Sequence, residues 1–292
     1  MLSRLSYPLR SIWQDESNQG QRVRRTLAFV GWQAWKRTLH RPIQVKLFNG
    51  FSVRVWPDCD TSPSALYYSL PNSKPISFLR RHLSGGTFVD VGASMGLISL
   101  LVADKVEHAI LFEPNPTQAE RARNNLRLNH LNFEVVAQAL SDTVGAVELE
   151  YGRTAGSCNR TVEGFATSAP TIPVQRTTLD QFLQQHPELA FPISAVKIDV
   201  EGHENSVLRG MRGFLRKQRP KLIMFEYLQR TKIQQTLSIF EEVGYSVFEL
   251  TSGGPRAISE QVSPLQDLFA CPVEFAAQFG LNAPALAEHT HQ

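Results

Sequence analysis

The sequence predicts an α/β protein: a doubly wound, mostly parallel sheet with helices on both faces, preceded by a lobe of one helix and a β-hairpin. Three observations carry this expectation. Beyond residue 86, short apolar runs alternate with stretches of helical period, the pattern of parallel strands joined by crossover helices. Two of those runs end in glycine- or acid-rich turns that open into helices, as in sheets that take a ligand at the carboxyl ends of their strands. The composition also suits a globule with a sizeable core, at 292 residues, 42% apolar and 20% charged, and excludes a disordered or collagen-like chain.

Residues 1–41 carry eight Lys and Arg against Asp15 and Glu16, a net +6 that leaves −3 for the rest of the chain. Within them, residues 26–35 are mostly apolar between Arg22, Arg24, Arg25 and Lys36, Arg37, and Trp13, Trp32 and Trp35 accompany the run. This reads as an amphipathic helix. Packing as a cap on the domain or in a dimer is the expectation, because amphipathicity usually reflects a core-facing stripe; contact with an anionic membrane surface is the other reading. From Ile43 the period becomes two: Ile43, Val45, Leu47, then Asn49-Gly50, then Phe51, Val53, Val55. Such a run predicts a hairpin whose two central turn residues both need positive φ. Pro57 and the polar cluster 58–64 end it, the pair Tyr67-Tyr68 is a candidate wall for a pocket, and a helix follows over 76–83.

The strands expected next are 87–91, 109–112, 134–137, 146–151, 195–198, 221–225, 246–249 and 267–270. The helices between them are 97–103, 116–129, 179–185, 204–215 and 231–243. Residues 152–170, rich in Gly, Ser, Thr and Ala, read as a loop. Four segments result: 1–41 basic and helical, 42–85 a hairpin and helix cap, 86–272 the α/β domain, and 273–292 a tail.

No apolar run approaches the roughly 18 residues that cross a bilayer, and no signal peptide is visible, so a soluble, cytoplasmic protein is expected. Cys59, Cys158 and Cys271 are far apart and odd in number, which fits neither a disulfide framework nor a zinc site. A body of net negative charge is not the surface of a nucleic-acid enzyme, and no nucleic-acid partner is predicted.

The run Phe88-Val89-Asp90-Val91-Gly92-Ala93-Ser94-Met95-Gly96 places a strand, an acid and two glycines just ahead of a helix. The next strand ends in Phe112-Glu113-Pro114-Asn115-Pro116, which puts an acid where ribose hydroxyls are held in such folds. A pyrophosphate-binding turn wants a third glycine, and Asp90 would repel a pyrophosphate while attracting an ammonium. S-adenosylmethionine, with an amino group, a ribose, a sulfonium and no phosphate, suits the turn better. A further run, Lys197-Ile198-Asp199-Val200-Glu201-Gly202-His203-Glu204, gathers five ionisable residues at another strand end, a costly arrangement unless they act on something.

Here the sequence resembles the FkbM-type S-adenosylmethionine-dependent methyltransferases. The resemblance is carried by FVDVGASMGLISL, FEPNP, ALSD with Gly145, TLDQFL and, most specifically, KIDVEGHE, over roughly residues 87–250. The family usually has Asn at the position of Ser94, a polar exchange that leaves the turn intact. The resemblance implies a class I methyltransferase (Rossmann-like) fold and methylation of a hydroxyl on a small-molecule, glycan or lipid-like acceptor. It implies that Asp90, Gly92 and Gly96, with Ser94 in the same turn, surround the methionine moiety of S-adenosylmethionine, that Glu113 binds the ribose, and that Ser141 and Asp142 lie at the adenine edge.

Residues of KIDVEGHE would face the acceptor. A neutral alcohol is a poor nucleophile, so a base is needed; Asp199 and His203 rank first, then Glu201, while Glu204 suits a helix N-terminus. Lys197 either contacts the acceptor or pairs with a neighbouring acid. Glu226, closing the strand Met224-Phe225-Glu226-Tyr227, is a further acceptor ligand. The acids are chemically compatible with a divalent cation, but carboxylate clusters are common without one, and no metal ligand is predicted. Three other readings are weighed. A nicotinamide-dependent oxidoreductase lacks its third glycine here; a nucleic-acid base methyltransferase would show an Asn/Asp-Pro-Pro-aromatic segment where this chain has Val200-Glu201-Gly202; a non-catalytic membrane- or partner-binding protein would have no need of the dense ionisable strand end. Acceptor identity and oligomeric state are not specified by the sequence.

Overall fold

A computed structural model describes residues 3–59, 61–71, 73–150, 169–189, 192–228, 231–258 and 266–281, with backbone alone for 3–6. Two helices, α1 (Ser3–Gln14) and α2 (Arg22–Thr38), open the chain. The sequence showed only the second, because Pro8 lies inside α1 and proline ordinarily interrupts a helix. The link between them is fastened by the fully buried Asn18, whose amide donates to the carbonyls of Ile12 and Tyr67 and whose Oδ1 accepts from the Ser69 N–H. The hairpin follows as β1 (Ile43–Lys46) and β2 (Ser52–Val55), paired from Ile43↔Val55 to Lys46↔Ser52. Extended by the Leu47 N–H donating to the Phe51 carbonyl, that register makes a three-residue loop instead of the expected two-residue turn. Gly50 alone takes positive φ, at 92°, and the Asn49 amide donates to the Leu100 carbonyl at 2.8 Å.

After α3 (Ser64–Tyr67) and α4 (Ser73–His82) the alternation begins: β3 (Thr87–Val91), α5 (Leu97–Val102), β4 (His108–Phe112), α6 (Pro116–Leu128) and β5 (Glu134–Val136). Then come β6 (Ala139–Leu140), β7 (Gly145–Glu150), β8 (Thr171–Thr177), α7 (Leu179–Gln185), β9 (Ile193–Ile198), α8 (Glu204–Arg209), α9 (Arg212–Gln218) and β10 (Leu222–Tyr227). The chain closes with α10 (Ile233–Glu242), β11 (Tyr245–Thr251), β12 (Gly254–Ala257) and β13 (Gln266–Pro272). Most of the loop expected at 152–170, and Cys158 within it, lie outside the described residues; Cys59 and Cys271 are buried free thiols.

The main sheet has the order β12-β11-β13-β10-β9-β3-β4-β5. Strands β10, β9, β3, β4 and β5 run parallel, and β13 inserts antiparallel between β10 and β11. This is the mostly parallel, doubly wound sheet of the sequence reading, with helices on both faces. Alternate residues of each central strand feed two cores: Phe88, Leu111 and Met224 pack toward α4, α5, α6 and the hairpin, while Val89, Ile110 and Phe225 pack toward α7, α8, α9 and α10. All five residues of β3 are buried, as a strand covered on both faces must be.

Two expectations are corrected here. The strand expected at 146–151 leaves the main sheet and pairs antiparallel with β8, which also takes β6, in a separate three-stranded sheet. Strand β8 escaped notice because Pro173 lies in its middle, a residue that argues against a strand interior. The helix expected over 204–215 is two. Helix α8 is capped at Gly210, where a Cβ would lie 1.9 Å from the Ser141 carbonyl oxygen, and α9 restarts with the Gly213 and Phe214 N–H groups donating to the Asp180 carboxylate.

Candidate active site

The carboxyl ends of β3, β4, β9 and β10 surround a cavity of about 350 Å³, within the roughly 300–1,000 Å³ of small-molecule sites. From the sheet side its wall includes Gly92, Ala93, Ser94, Met95, Glu113, Leu140, Lys197, Asp199, Glu201, His203 and Glu226; Thr61, Ser64, Tyr68 and Pro71 close it from the N-terminal lobe.

The turn after β3 is shaped by what it touches. Gly92 sits at φ 75°, and a Cβ there would fall 1.8 Å from the Asp199 carbonyl oxygen, so the approach of β9 leaves room for glycine alone. The Gly92 and Ala93 N–H groups both donate to the Phe112 carbonyl. Ser94 adopts φ 50°, and its N–H donates to Glu113 Oε2 at 2.7 Å, while Glu113 Oε1 accepts from the Asn115 N–H at 2.9 Å. Burial pushes the Glu113 carboxyl up to about 7, against the pull of these two N–H groups and of Lys197. The Ser94 hydroxyl is buried in the wall with no hydrogen-bond partner among the described residues.

Lys197 is the keystone between the first turn and the second. Its buried Nζ donates to the Gly92 carbonyl at 3.0 Å and stands 3.4 Å from Asp90 Oδ1 and 3.3 Å from Asp199 Oδ2. Burial alone pulls the ammonium toward neutrality, and the charges of Asp199 and Asp90 more than reverse this, so its pKa is raised. Of the two roles weighed for Lys197, pairing with acids is the one the structure displays, although the side chain also lines the cavity.

Four residues assigned to the cofactor stand behind the wall. Asp90 is fully buried within β3, accepting from the Ser99 hydroxyl at 2.7 Å and facing Lys197. Gly96, at φ 80°, permits close packing, since a Cβ would come 3.2 Å from Leu111 and 3.5 Å from Ala122. Ser141 bonds His203 Nε2 through its hydroxyl at 2.9 Å, and Asp142 accepts from Arg209 Nε at 2.9 Å. From the same segment, Gln138, Ala139 and Leu140 are the residues that reach the cavity.

In the turn after β9, Asp199 and Glu201 face the cavity, Glu201 at φ 56°. His203 also lines it while its Nε2 is engaged with Ser141. Glu204 points inward, its Oε1 accepting from the Gly202 N–H at 2.9 Å and its Oε2 from the Thr231 hydroxyl, so it organises the turn. Glu226, at the end of β10, has Oε2 buried with no hydrogen-bond partner among the described residues. Burial first, then the charges of Asp199, Glu201, Glu204 and Asp267, push it up to about 8. Oxygen atoms of Asp199, Glu201 and Glu226 lie within 4.8 Å of one another, a spacing that a divalent cation can bridge, and acids this exposed often cluster without one.

The sequence reading missed Thr61, Ser64, Pro71, Gln118 and Leu149 of the lining; none lies in a motif, and only folding brings them to the sheet edge. Of the pair Tyr67-Tyr68, Tyr68 forms part of the wall while Tyr67 packs edge-on against Phe29 at 5.2 Å between ring centroids.

Among solved structures, the FkbM methyltransferase of Methylobacillus flagellatus is 16% identical, with 64% of this chain aligned to 43% of that one at a TM-score of 0.41. The tRNA (uracil-54, C5)-methyltransferase of Pyrococcus abyssi, solved with S-adenosyl-L-homocysteine, is 14% identical over 78% of this chain and 43% of its own, at 0.44. A SAM-dependent methyltransferase of Agrobacterium tumefaciens is 11% identical over 79% and 69%, at 0.42. The chain thus spans less than half the length of the first two. No curated protein matches it in sequence. The model of the methyltransferase FkbM domain matches residues 90–247, more than half of the chain and both cavity-forming turns, and the chain belongs to that family.

Proposed function

We propose that this chain transfers the methyl group of S-adenosylmethionine to a hydroxyl on a small-molecule, glycan or lipid-like acceptor. The observation that carries this reading is the charge of the cavity. Glu113, Asp199, Glu201 and Glu226 line it, and the one lysine among the described residues of its wall, Lys197, is held by Asp90 and Asp199. Even with Glu113 and Glu226 pushed toward their neutral forms, a wall of carboxyl oxygens favours a cationic ligand, whereas a pyrophosphate would meet acceptors where it needs donors.

The donor fits the residues present. Ser94 offers a buried hydroxyl without a partner among the described residues, and each Glu113 oxygen, bonded once to a backbone N–H, keeps lone-pair capacity for ribose hydroxyls. Gly92 and Ser94 would hold the methionine end, Glu113 the ribose, and Gln138 and Leu140 the adenine side. Asp90, Gly96, Ser141 and Asp142 would act through the segments they fix. Bound S-adenosylmethionine supplies a methyl group made electrophilic by a positively charged sulfur.

At the acceptor end, Asp199 receives the proton of the attacking hydroxyl, which a neutral alcohol needs to lose. Lys197 keeps that carboxylate in place. His203 is the weaker candidate because Ser141 already engages its Nε2, and Glu201 stands beside Asp199 on the same turn. Glu226, predominantly protonated at neutral pH, donates a hydrogen bond to the acceptor. Alignment of the two substrates between the turns contributes the remainder of the acceleration.

Calorimetric titration with S-adenosylmethionine, S-adenosylhomocysteine and NADH, with and without a divalent cation, tests the reading. Binding of the first two and not of NADH is expected. Binding of NADH alone would favour an oxidoreductase, and binding of none by folded protein a non-catalytic role.

A further inference from the structure

We propose that the outer face of the N-terminal helix pair docks on an anionic lipid surface. The proposal is independent of methyl transfer. On α2, Val23, Leu27 and Val30 are 65%, 67% and 55% exposed, and with the exposed Ala34 they follow the four-three-four spacing that places side chains along one face. The opposite face of the same helix buries Phe29 and Trp32. Helix α2 is therefore apolar on two sides, and its inner side alone accounts for packing. Trp13 of α1, 50% exposed, borders the outer stripe, its indole N–H donating to Thr26 Oγ1 at 3.1 Å.

Charge identifies the occupant. Arg10, Arg24, Arg37 and Arg41 are exposed, and no ion pair holds any of them among the described residues. The segment's two acids are at the turn, away from the stripe, where Asp15 accepts from Ser17 and Glu16 stands 3.5 Å from Lys74. An apolar stripe bordered by tryptophan and fringed by arginines, without acids, matches the interface between acyl chains and anionic headgroups. A second copy of the chain is a poorer occupant. Twofold pairing of this face would set arginine against arginine with no carboxylate between them. No helix among the described residues is long and apolar enough to cross a membrane, so the contact would be peripheral.

The inner side of the same helix pair is joined to the cavity. The Ser11 hydroxyl of α1 lies 3.0 Å from the Tyr68 hydroxyl, and Arg25 of α2 donates to the Leu66 carbonyl and the Ser69 hydroxyl. Tyr68 is part of the cavity wall. Lipid contact would thus bear on the helices that position this wall without any stripe residue entering the cavity.

The test is co-sedimentation of the full chain with vesicles of mixed phosphatidylglycerol and phosphatidylcholine, against phosphatidylcholine alone, over a range of salt. The full chain should sediment with the anionic vesicles only, less so as salt rises. Leu27→Glu/Val30→Glu and Arg24→Glu/Arg37→Glu should each lower partitioning by about tenfold or more, with circular dichroism and melting temperature unchanged because all four positions are exposed. Three outcomes would overturn the proposal: no sedimentation of the full chain with anionic vesicles, sedimentation of both variants to the same extent as the unsubstituted chain, or a concentration-dependent dimer abolished by Leu27→Glu/Val30→Glu, which would assign the face to a second copy.

Discussion

The two sides of the cavity use the same chemical group in opposite ways. On the side of β4, Glu113 is almost wholly buried, yet each of its oxygens accepts a backbone N–H, so the carboxyl is fastened to the turn it helps to shape. On the side of β9 and β10, Asp199, Glu201 and Glu226 crowd within 4.8 Å, and Glu226 keeps a buried oxygen without a hydrogen bond among the described residues. The first is an environment for holding a ligand in one pose. The second leaves a carboxyl without such donors, where the charges of neighbouring acids add to burial in pushing Glu226 up to about 8, while on the first side two N–H groups oppose the burial that brings Glu113 to about 7. What a carboxyl group does follows from its donors and its neighbouring charges more than from its residue type.

The largest effect that would sharpen this contrast is expected on turnover. Asp199→Asn should leave S-adenosylhomocysteine affinity intact and lower turnover by about 10²–10⁴, the usual share of a positioned base; full activity in a methyl-transfer assay would remove Asp199 as the base. Next is the seam where the two sides meet. Gly92→Ala should destabilise the fold by about 3 kcal/mol or more in denaturant unfolding, since its Cβ would lie inside van der Waals contact with the Asp199 carbonyl oxygen. Unchanged stability would mean that the strands part without cost.

On the fastened side, Glu113→Ala should weaken S-adenosylhomocysteine binding by about 1–3 kcal/mol, the range for hydrogen bonds to a charged or buried group. Calorimetry showing wild-type affinity would take Glu113 out of the ligand site. The smallest effect belongs to the crowded side and depends on pH. Glu226 has its carboxyl raised from 4.5 to about 8, so the folded state binds more protons than the unfolded one between those values. Its contribution favours the fold below pH 4.5 and is lost as pH rises through about 8. Glu226→Gln does not titrate. Its stability relative to wild type should therefore increase across that window, by about 1–2 kcal/mol once solvent screening of a part-exposed side chain is allowed for. Parallel melting curves of the two proteins at every pH would show that Glu226 is not so perturbed.

Much of the site was legible because its two turns are local. A strand, a glycine turn and a helix are encoded by consecutive residues, and the periods of two and 3.6 that flank them reveal the sheet class and its helices. Gly92, Ser94, Glu113, Asp199, Glu201, His203 and Glu226 all reach the cavity from motifs read in this way. Elements that violate local rules escaped: α1 with its internal proline and β8 with Pro173; the break between α8 and α9 escaped as well, at a glycine that packs against the distant Ser141 carbonyl.

By itself, then, the sequence determined the fold class, the edge of the sheet at which a ligand is received and the acidic character of that edge, all properties of short stretches of backbone and their side-chain period. Tertiary structure alone decided which polar groups face the cavity and which stand behind it. Lys197 finds Gly92 across 105 positions, and Ser141 finds His203 across 62. Asp90, conspicuous in its motif, is turned inward because β3 is covered on both faces and a buried carboxylate there is held by Ser99 and Lys197. Side-chain direction at a strand end depends on the neighbouring strands and the partners they bring, and no stretch of sequence contains those partners.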